Sequence, residues 1–263
     1  MVGEADTMPA IDSARFAAAS DATWPAERVA WLGGWKLRFT DGAGSRAASI
    51  WATGAPGMAL ETALDEAEAA YHASGLPPRA QLWPGDEALD ALLETRGYRL
   101  YDRSLLMVRR LSEPLSALQR NDGAGDEREA CTAIRVTTPL EVLDQIWAEG
   151  GVGPARRAAL DRAPGPKHIF LGRVGMRPAG AAAIVLDGDI AVTQALYVSP
   201  IARRRGLAAV LMAALAEAAA AEGARLMTHA VVEENAGART LYERLGFRAF
   251  GAYHYRELCR VEA

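Results

Sequence analysis

Hydrophobic and polar positions follow two periods along the chain, one of about two residues and one of about 3.6, which predict strands and amphipathic helices respectively. In the first 110 residues the pattern predicts four strands and two helices. The predicted strands cover residues 29–39, 46–52, 80–83 and 99–109, and the predicted helices cover residues 58–73 and 87–96. A polar stretch rich in turn-forming residues follows at 112–130 and is typical of a linker.

The same alternation of strands and helices resumes after the linker. Strands are predicted at residues 133–136, 168–174, 181–186, 190–198, 225–232 and 248–257, and helices at 139–148, 154–161, 207–221 and 236–245. Strands interleaved with helices predict an α/β (α+β) protein. We therefore expect two domains, at residues 1–111 and 131–263, joined by the linker.

The two predicted domains end alike. Residues 92–99 (LLETRGYR) align with residues 241–248 (LYERLGFR). In both, a helix stops at a glycine, Gly97 or Gly246, which adopts the left-handed conformation after a helix at little cost. An aromatic residue follows and can pack back on the helix. This likeness favours an internal duplication, and two unrelated helix–glycine–strand units are the alternative.

Composition narrows the functional classes. Half of the 263 residues are hydrophobic and 24% are charged, as in an ordinary globular protein, and the net charge of -4 argues against nucleic-acid binding. We find neither a run of about eighteen apolar residues nor a signal peptide, so we expect no membrane span and a cytoplasmic location. The two cysteines, Cys131 and Cys259, offer no disulfide framework, and the four scattered histidines suggest no metal site.

The strongest local signal is a basic loop between a predicted strand and a long Ala-rich helix. It consists of Arg203, Arg204, Arg205, Gly206, Leu207 and Ala208. The first turn of a helix offers unpaired amide N–H groups and a positive dipole end, which together suit a diphosphate. Gly206 and Ala208 would let phosphate oxygens approach the backbone. A solvated arginine run before an ordinary helix is the other interpretation of the loop taken alone.

The loop, with its Arg-x-x-Gly-x-Ala spacing, resembles the cofactor motif of the GCN5-related N-acetyltransferase (GNAT) superfamily. Residues 235–247 (NAGARTLYERLGF) resemble a second signature of that family, and the likeness extends from about residue 132 to the C-terminus. It implies two GNAT-like domains, each with a mixed, mostly antiparallel central sheet flanked by helices. It also implies an N-acetyltransferase that moves an acetyl group from acetyl-CoA (coenzyme A) to a primary amine of a small molecule or peptide.

The resemblance assigns roles to individual residues. Leu196, Tyr197 and Val198 would bind the cofactor, with the backbone of Leu196 and Val198 paired with the pantetheine arm. The amide of one of these two would polarise the thioester carbonyl. Tyr242 would protonate the departing thiolate as general acid, although a core aromatic is the alternative. Asn235 would either contact the cofactor or cap a helix.

The general base is not identified, because Val192 occupies the place where many relatives have a glutamate. Gln194 could orient a water, and Glu233 and Glu234 lie near the expected cleft mouth. The missing carboxylate leaves a non-catalytic acyl-CoA sensor as the alternative function.

The N-terminal half resembles a GNAT-like domain that has lost its cofactor motif. Leu93 and Asp86 stand where Tyr242 and Asn235 stand in the other half. Five of the six tryptophans lie in this half, and we expect most of them to be core or interdomain residues, with one or two possible at an acceptor pocket. We expect the half to shape the acceptor site of a monomer or homodimer.

Overall fold

The computed structural model describes residues 11–112, 115, 130–138 and 140–258, and its helices and strands follow the predicted order. The helices are α1 (Ser13–Ala22), α2 (Leu60–Ala73), α3 (Glu87–Thr95), α4 (Glu141–Glu149), α5 (Pro154–Arg162), α6 (Leu207–Ala221) and α7 (Ala236–Arg244). The strands are β1 (Arg28–Leu32), β2 (Trp35–Phe39), β3 (Ile50–Ala52), β4 (Arg79–Leu82), β5 (Arg99–Arg110), β6 (Cys131–Val136), β7 (Lys167–Val174), β8 (Arg177–Asp187), β9 (Ile190–Val198), β10 (Leu226–Val232) and β11 (Arg248–Glu257).

Three local predictions in the N-terminal half need correction. The strand predicted over residues 29–39 is a hairpin, because Gly33 adopts a φ of +54° and turns the chain between β1 and β2. The strand predicted over residues 46–52 begins only at Ile50, after a 3₁₀ turn. Helix α1 was not predicted: its small residues give no clear apolar stripe, and its start is set by Asp12, whose carboxylate caps the amide of Arg15 at 2.8 Å.

The eleven strands of the described residues form one sheet in the order β1-β2-β3-β4-β11-β5-β10-β9-β8-β7-β6. Strand β11, the last of the chain, lies between β4 and β5, which both belong to the N-terminal half. Strand β5 in turn lies between β11 and β10 of the C-terminal half. Each half therefore places its final strand inside the sheet of the other, and the two halves share one continuous set of backbone hydrogen bonds.

Strand pairing follows the same pattern in both halves. Strands β3 and β4 are parallel and joined by α2, just as β9 and β10 are parallel and joined by α6. Strands β4 and β10 then each pair antiparallel with the last strand of the other half. This repeat favours the predicted duplication. The linker predicted at 112–130 lies almost entirely outside the described residues, so the domain boundary stays a prediction.

The repeated helix ends have the predicted geometry. Gly97 and Gly246 have φ values of +82° and +79°. After each glycine, the amide of the aromatic residue donates back into the helix, Tyr98 to the Leu93 carbonyl at 3.0 Å and Phe247 to the Tyr242 carbonyl at 2.9 Å. These are the bonds of a Schellman motif, which satisfies the helix's last carbonyls.

Helices cover both faces of the C-terminal part of the sheet. Helix α6 packs on one face through Leu207, Leu211 and Leu215, all almost fully buried. Helices α4 and α5 pack on the opposite face, where they meet Trp24 and Ala43 from the N-terminal half. Helix α1 contacts β8, β9 and β11. The N-terminal half thus reaches across to the strands that carry the candidate site.

Candidate active site

Strands β9 and β10 separate partway along their length and leave a fork in the sheet. They pair only where Ile190, Ala191 and Val192 face Leu226, Met227 and Thr228. Strand β9 then continues for six residues, and β10 for four, without pairing with each other. Backbone groups on the facing edges beyond the fork are therefore available to a ligand.

A bulge in β9 lies just beyond the fork. Ala195 adopts a φ of +50°, and the register against β8 shifts between the pairs Gln194–Ala183 and Tyr197–Ala181. Trp147 of α4 fixes the bulge by donating its indole N–H to the Ala195 carbonyl at 2.8 Å. A non-glycine residue rarely adopts positive φ without tertiary support, so contacts with the surrounding structure hold the backbone in this kink. The kink sets the direction of the next amides, those of Leu196 and Tyr197.

The basic loop forms an open turn at the start of α6. Arg204 and Gly206 have φ values of +63° and +90°, and the first backbone bond of the helix runs from the Val210 amide to the Gly206 carbonyl at 3.1 Å. The amides of Gly206, Leu207 and Ala208 make no hydrogen bond to another described residue. A Cβ built on Gly206 would meet no atom within 4 Å, so the protein's own atoms leave this turn clear.

The three arginines of the loop are exposed. The Arg203 guanidinium turns back to β9 and donates to the Val198 carbonyl at 3.2 Å, which links the loop to the strand's end. Nearby, Tyr197 projects towards α4, where its ring fills the space that a side chain on Gly150 would need. The loop therefore combines unpaired amides with positive charge at its rim, the arrangement predicted for a diphosphate cradle.

Asn235 shows the capping geometry, one of its two predicted roles. Its side-chain oxygen accepts from the Ala238 amide at 3.0 Å at the start of α7. The residue is exposed, and its side-chain NH₂ group makes no hydrogen bond to another described residue. Capping uses only the oxygen, so a contact between this NH₂ group and a cofactor stays a prediction.

Tyr242 on α7 is buried, and its ring contacts His229 of β10 with centroids 4.3 Å apart. Burial raises the pKa of the Tyr242 phenol, so the hydroxyl keeps its proton at neutral pH. That hydroxyl makes no hydrogen bond to another described residue, although the ring also packs against Phe247. A protonated phenol without a partner is what a general acid requires before it meets a leaving group.

His229 was not singled out by the sequence, where it is one of four scattered histidines. It is the first β10 residue beyond the last β9–β10 pair, which places it at the fork. Burial, followed by the nearby charge of Arg46, lowers the pKa of His229 to about 4. The imidazole is therefore neutral at pH 7, and its Nδ1 is buried without a partner. The sequence holds one weak signal for this site, which is that His229 lies inside a predicted buried strand.

The positions considered for a general base differ in what their side chains contact. Val192, which stands where many relatives are expected to have a glutamate, is buried in the last β9–β10 pair. The Gln194 side chain donates to the Thr23 hydroxyl at 3.0 Å and accepts from Arg46 at 2.7 Å, so both of its polar ends have partners. Glu233 pairs with Arg103 at 3.2 Å, and Glu234 is exposed.

The corresponding positions of the N-terminal half are filled by structural contacts. Leu93 is fully buried in the hydrophobic core, and the Asp86 carboxylate accepts from the Trp83 amide at 2.9 Å. Helix α2 begins after Ala59, which has an ordinary negative φ, without a basic loop. Of the tryptophans, Trp35 is almost fully buried and Trp31 is 60% exposed, while Trp24 lies beside Arg46 near the fork.

Within the described ranges, no group of three or more His, Cys, Asp or Glu side chains is arranged to hold a metal ion. No helix in this part of the chain has the length and apolar character needed to cross a bilayer.

Comparison with known proteins agrees with this geometry. Residues 138–247 match the acetyltransferase (GNAT) family. The chain is 28% identical over 250 residues to the uncharacterized N-acetyltransferase YobR of Bacillus subtilis strain 168, covering 92% of this chain and 96% of that protein.

Solved structures show the same fold. A GCN5-related N-acetyltransferase from Kribbella flavida is similar with a TM-score of 0.70 and 20% identity, over 93% of this chain and 95% of that one. A tandem GNAT protein from the clavulanic acid biosynthesis pathway is similar with a TM-score of 0.56 and 15% identity, over 75% and 69% of the two chains. Residues 138–247, which include the forked part of the sheet and the open basic turn, thus match the GNAT acetyltransferase family, and most of the chain shares the fold of GCN5-related N-acetyltransferases.

Proposed function

We propose that the protein is an acetyl-CoA-dependent N-acetyltransferase that acetylates a primary amine by direct attack on the thioester. The observation that carries this proposal is the open turn at Gly206, which presents unpaired amides at the end of the strand that forms the fork. The turn and the fork lie at opposite ends of the same β9 segment, so a long ligand held by its phosphates can extend along the strand edge.

Binding uses the backbone more than side chains. The amides of Gly206, Leu207 and Ala208 hold the diphosphate, and Arg203, Arg204 and Arg205 add positive charge around it. The edge of β9 over Leu196, Tyr197 and Val198 pairs with the amide groups of the pantetheine arm. Asn235 contributes its free side-chain NH₂ group from the other wall.

The reaction needs two further groups. The amine nitrogen attacks the thioester carbonyl carbon while a backbone amide beyond the bulge, that of Leu196, donates to the carbonyl oxygen as it becomes negative. The carbon–sulfur bond then breaks, and the Tyr242 hydroxyl supplies a proton to the thiolate. The proton released by the amine passes to solvent, and solvent returns a proton to the Tyr242 phenolate.

The N-terminal half acts as a GNAT-like domain without its own cofactor site, in a tandem arrangement. Its last strand, β5, is paired with β10 along the full length of β10, so it stabilises one wall of the fork. The N-terminal half also supplies Arg46, which donates to Gln194 on β9, the opposite wall of the fork.

Replacing Tyr242 tests the chemistry. We expect Tyr242→Phe to bind acetyl-CoA with an affinity within about twofold of wild type and to lower turnover about a hundredfold, as general acid catalysis typically contributes. Calorimetry measures the affinity, and release of the coenzyme A thiol during incubation with a panel of amines measures turnover. Tyr98→Phe, which removes a buried hydroxyl from the other half, is the matched control and should leave both quantities unchanged.

The same experiment addresses the alternative function. An acyl-CoA sensor is favoured by the apolar Val192 in the place of a catalytic carboxylate, and it predicts acetyl-CoA binding without turnover of any amine. Equal turnover by wild type and Tyr242→Phe would remove Tyr242 from the mechanism. Absence of acetyl-CoA binding at millimolar concentration would rule out both functions.

A further inference from the structure

A polar cluster built by both halves lies beside the fork. Arg46, from the 3₁₀ turn before β3, donates through Nη2 to the Gln194 side-chain oxygen at 2.7 Å and through Nη1 to the Ser20 hydroxyl at 3.0 Å. Gln194 is in turn bonded to Thr23. Ser20, Thr23 and Gln194 are all at least nine-tenths buried. Arg46 is therefore held in place by two neutral groups, Ser20 on α1 and Gln194 on the strand that carries the bulge.

Positive charge in this region exceeds negative charge. The nearby carboxylate, Asp21, has both oxygens engaged: one pairs with Lys36 and the other with Arg38 at 3.2 Å. Arg46 forms no ion pair with any carboxylate of the described residues. A guanidinium withdrawn from water without an anion is costly, because neutral hydrogen bonds replace only part of its hydration. Burial accordingly lowers the pKa of Arg46.

Three buried polar atoms near the fork have no hydrogen-bond partner among the described residues: Arg46 Nε, the Thr193 hydroxyl and His229 Nδ1. Thr193 directly precedes Gln194, and His229 is the first β10 residue beyond the fork. Thr193 and His229 follow Ala191 and Met227 by two residues, so their side chains lie on the α6 face of the sheet, opposite Gln194 and Arg46. Native proteins leave few buried polar atoms unsatisfied, so the unpartnered Arg46 Nε indicates that another molecule completes its bonding.

Aromatic side chains lie near the guanidinium. Trp24 is buried, with Arg46 Cζ 5.3 Å from its ring centroid, and the phenols of Tyr253 and Tyr255 are near enough to interact electrostatically with Arg46. Low polarity around a cation strengthens its attraction for an anion that enters. Such a site favours an anion over a neutral group.

We infer that Arg46 binds a carboxylate of the acyl acceptor, so that the acceptor is an amino acid or another small amine that carries a carboxylate. The inference rests on the proposed function. Leu196, whose amide faces the reacting carbonyl in that proposal, lies two residues from Gln194 across the bulge at Ala195, so their Cα atoms are at most about 7 Å apart. A small acceptor can span this distance between its carboxylate and its amine. The N-terminus of a peptide has no carboxylate at a fixed short distance from its amine.

Matched pairs of acceptors test the inference. Three pairs of acceptors differ by one carboxylate: lysine and cadaverine, ornithine and putrescine, and tryptophan and tryptamine. The rate of coenzyme A release gives kcat/KM for each compound. We expect wild type to prefer a carboxylate-bearing member. Arg46→Gln should lower kcat/KM for that member about a hundredfold, because a buried charge-assisted pair is lost, and change it for its decarboxylated partner less than about threefold.

Two further variants separate recognition from folding. Arg46→Lys keeps the charge but loses the fork of N–H donors, so it should retain an intermediate preference for the carboxylate. Arg28→Gln, which removes a guanidinium packed on Phe39 away from the fork, is the matched control and should behave as wild type. Thermal melting and acetyl-CoA calorimetry on every variant show whether the fold and the cofactor site are intact.

The outcomes divide clearly. The inference is wrong if wild type acetylates no carboxylate-bearing member of the panel, or if Arg46→Gln and Arg46→Lys slow both members of a pair equally, as a purely structural link between the halves would. In either case acetyl-CoA binding and turnover of plain amines would leave the proposed function standing. Loss of acetyl-CoA binding by wild type would remove the proposed function itself.

Discussion

At the scale of single residues, burial affects the two aromatic side chains of the fork in opposite directions. It raises the pKa of the Tyr242 phenol and lowers the pKa of the His229 imidazole to about 4, and both changes favour the neutral form. The rings, 4.3 Å apart, thus form an uncharged pair at pH 7. Uncharged side chains at the fork are compatible with the apolar arm of a thioester. They are also compatible with a phenol that keeps its proton until the thiolate leaves.

The lowered pKa of His229 predicts an acid-sensitive contribution to stability. The unfolded chain takes up a proton below about pH 6.5, whereas the folded chain does so only near pH 4, so stability falls as the pH drops through this window. Between pH 7 and 5, wild type should lose about 1–2 kcal/mol more than His229→Phe, measured by urea unfolding. His72→Phe, an exposed position on α2, should lose as much as wild type. Equal losses in wild type and His229→Phe would contradict the prediction.

At the scale of elements, α6 has a left-handed glycine at each end. Gly206 precedes the helix with a φ of +90° and Gly223 follows it with a φ of +89°. An added Cβ would meet no atom within 4 Å at either position, so substitution strains the backbone equally without a clash. The two glycines differ in what they face: Gly206 forms the open basic turn, while Gly223 only closes the C-terminal end.

This symmetry provides a controlled test of the cradle. Gly206→Ala and Gly223→Ala should each lower the free energy of unfolding by about 1 kcal/mol, the usual cost of left-handed backbone for a residue with a Cβ. Only Gly206→Ala should weaken acetyl-CoA binding, by about tenfold or more, because the methyl group occupies the approach of the phosphate. Calorimetry with both variants gives the comparison. Similar affinities for the two would mean that the diphosphate lies elsewhere.

At the scale of the whole molecule, the exchange of β5 and β11 joins the halves into one sheet. Strand β5 pairs with both β10 and β11, and its buried Leu106 contacts residues on each. Neither half retains a complete sheet without the other, since removal of β5 would leave an open edge on β10. Folding should therefore be cooperative across the chain.

Cooperativity can be measured with two probes. Tryptophan fluorescence reports mainly the N-terminal half, which holds five of the six tryptophans, and acetyl-CoA binding reports the C-terminal half. Both should be lost in one urea transition, and Leu106→Ala should shift both midpoints together, lowering stability by about 2–5 kcal/mol. Two separate transitions, or a folded and fully active fragment of residues 131–263, would show that the halves are independent.

Features that depend on neighbours within a few residues could be predicted from the sequence. The order of elements after residue 58, the left-handed glycines after α3 and α7, and the turn at Gly206 all follow from local periodicity and backbone preference. Tyr242 could be singled out because its motif is contiguous. Helix α1 escaped prediction, since its Ala- and Ser-rich sequence gives a weak pattern and its packing against β11 comes from far along the chain.

Features that depend on which distant segments meet were decided by the tertiary structure. No local pattern states that β11 pairs with β4, or that β9 and β10 part after Val192, because a strand's period shows its buried face and not its partner. For the same reason, His229 and Arg46 look ordinary in the sequence. Their chemical significance comes from burial beside one fork, where residues separated by more than 180 positions share a single environment.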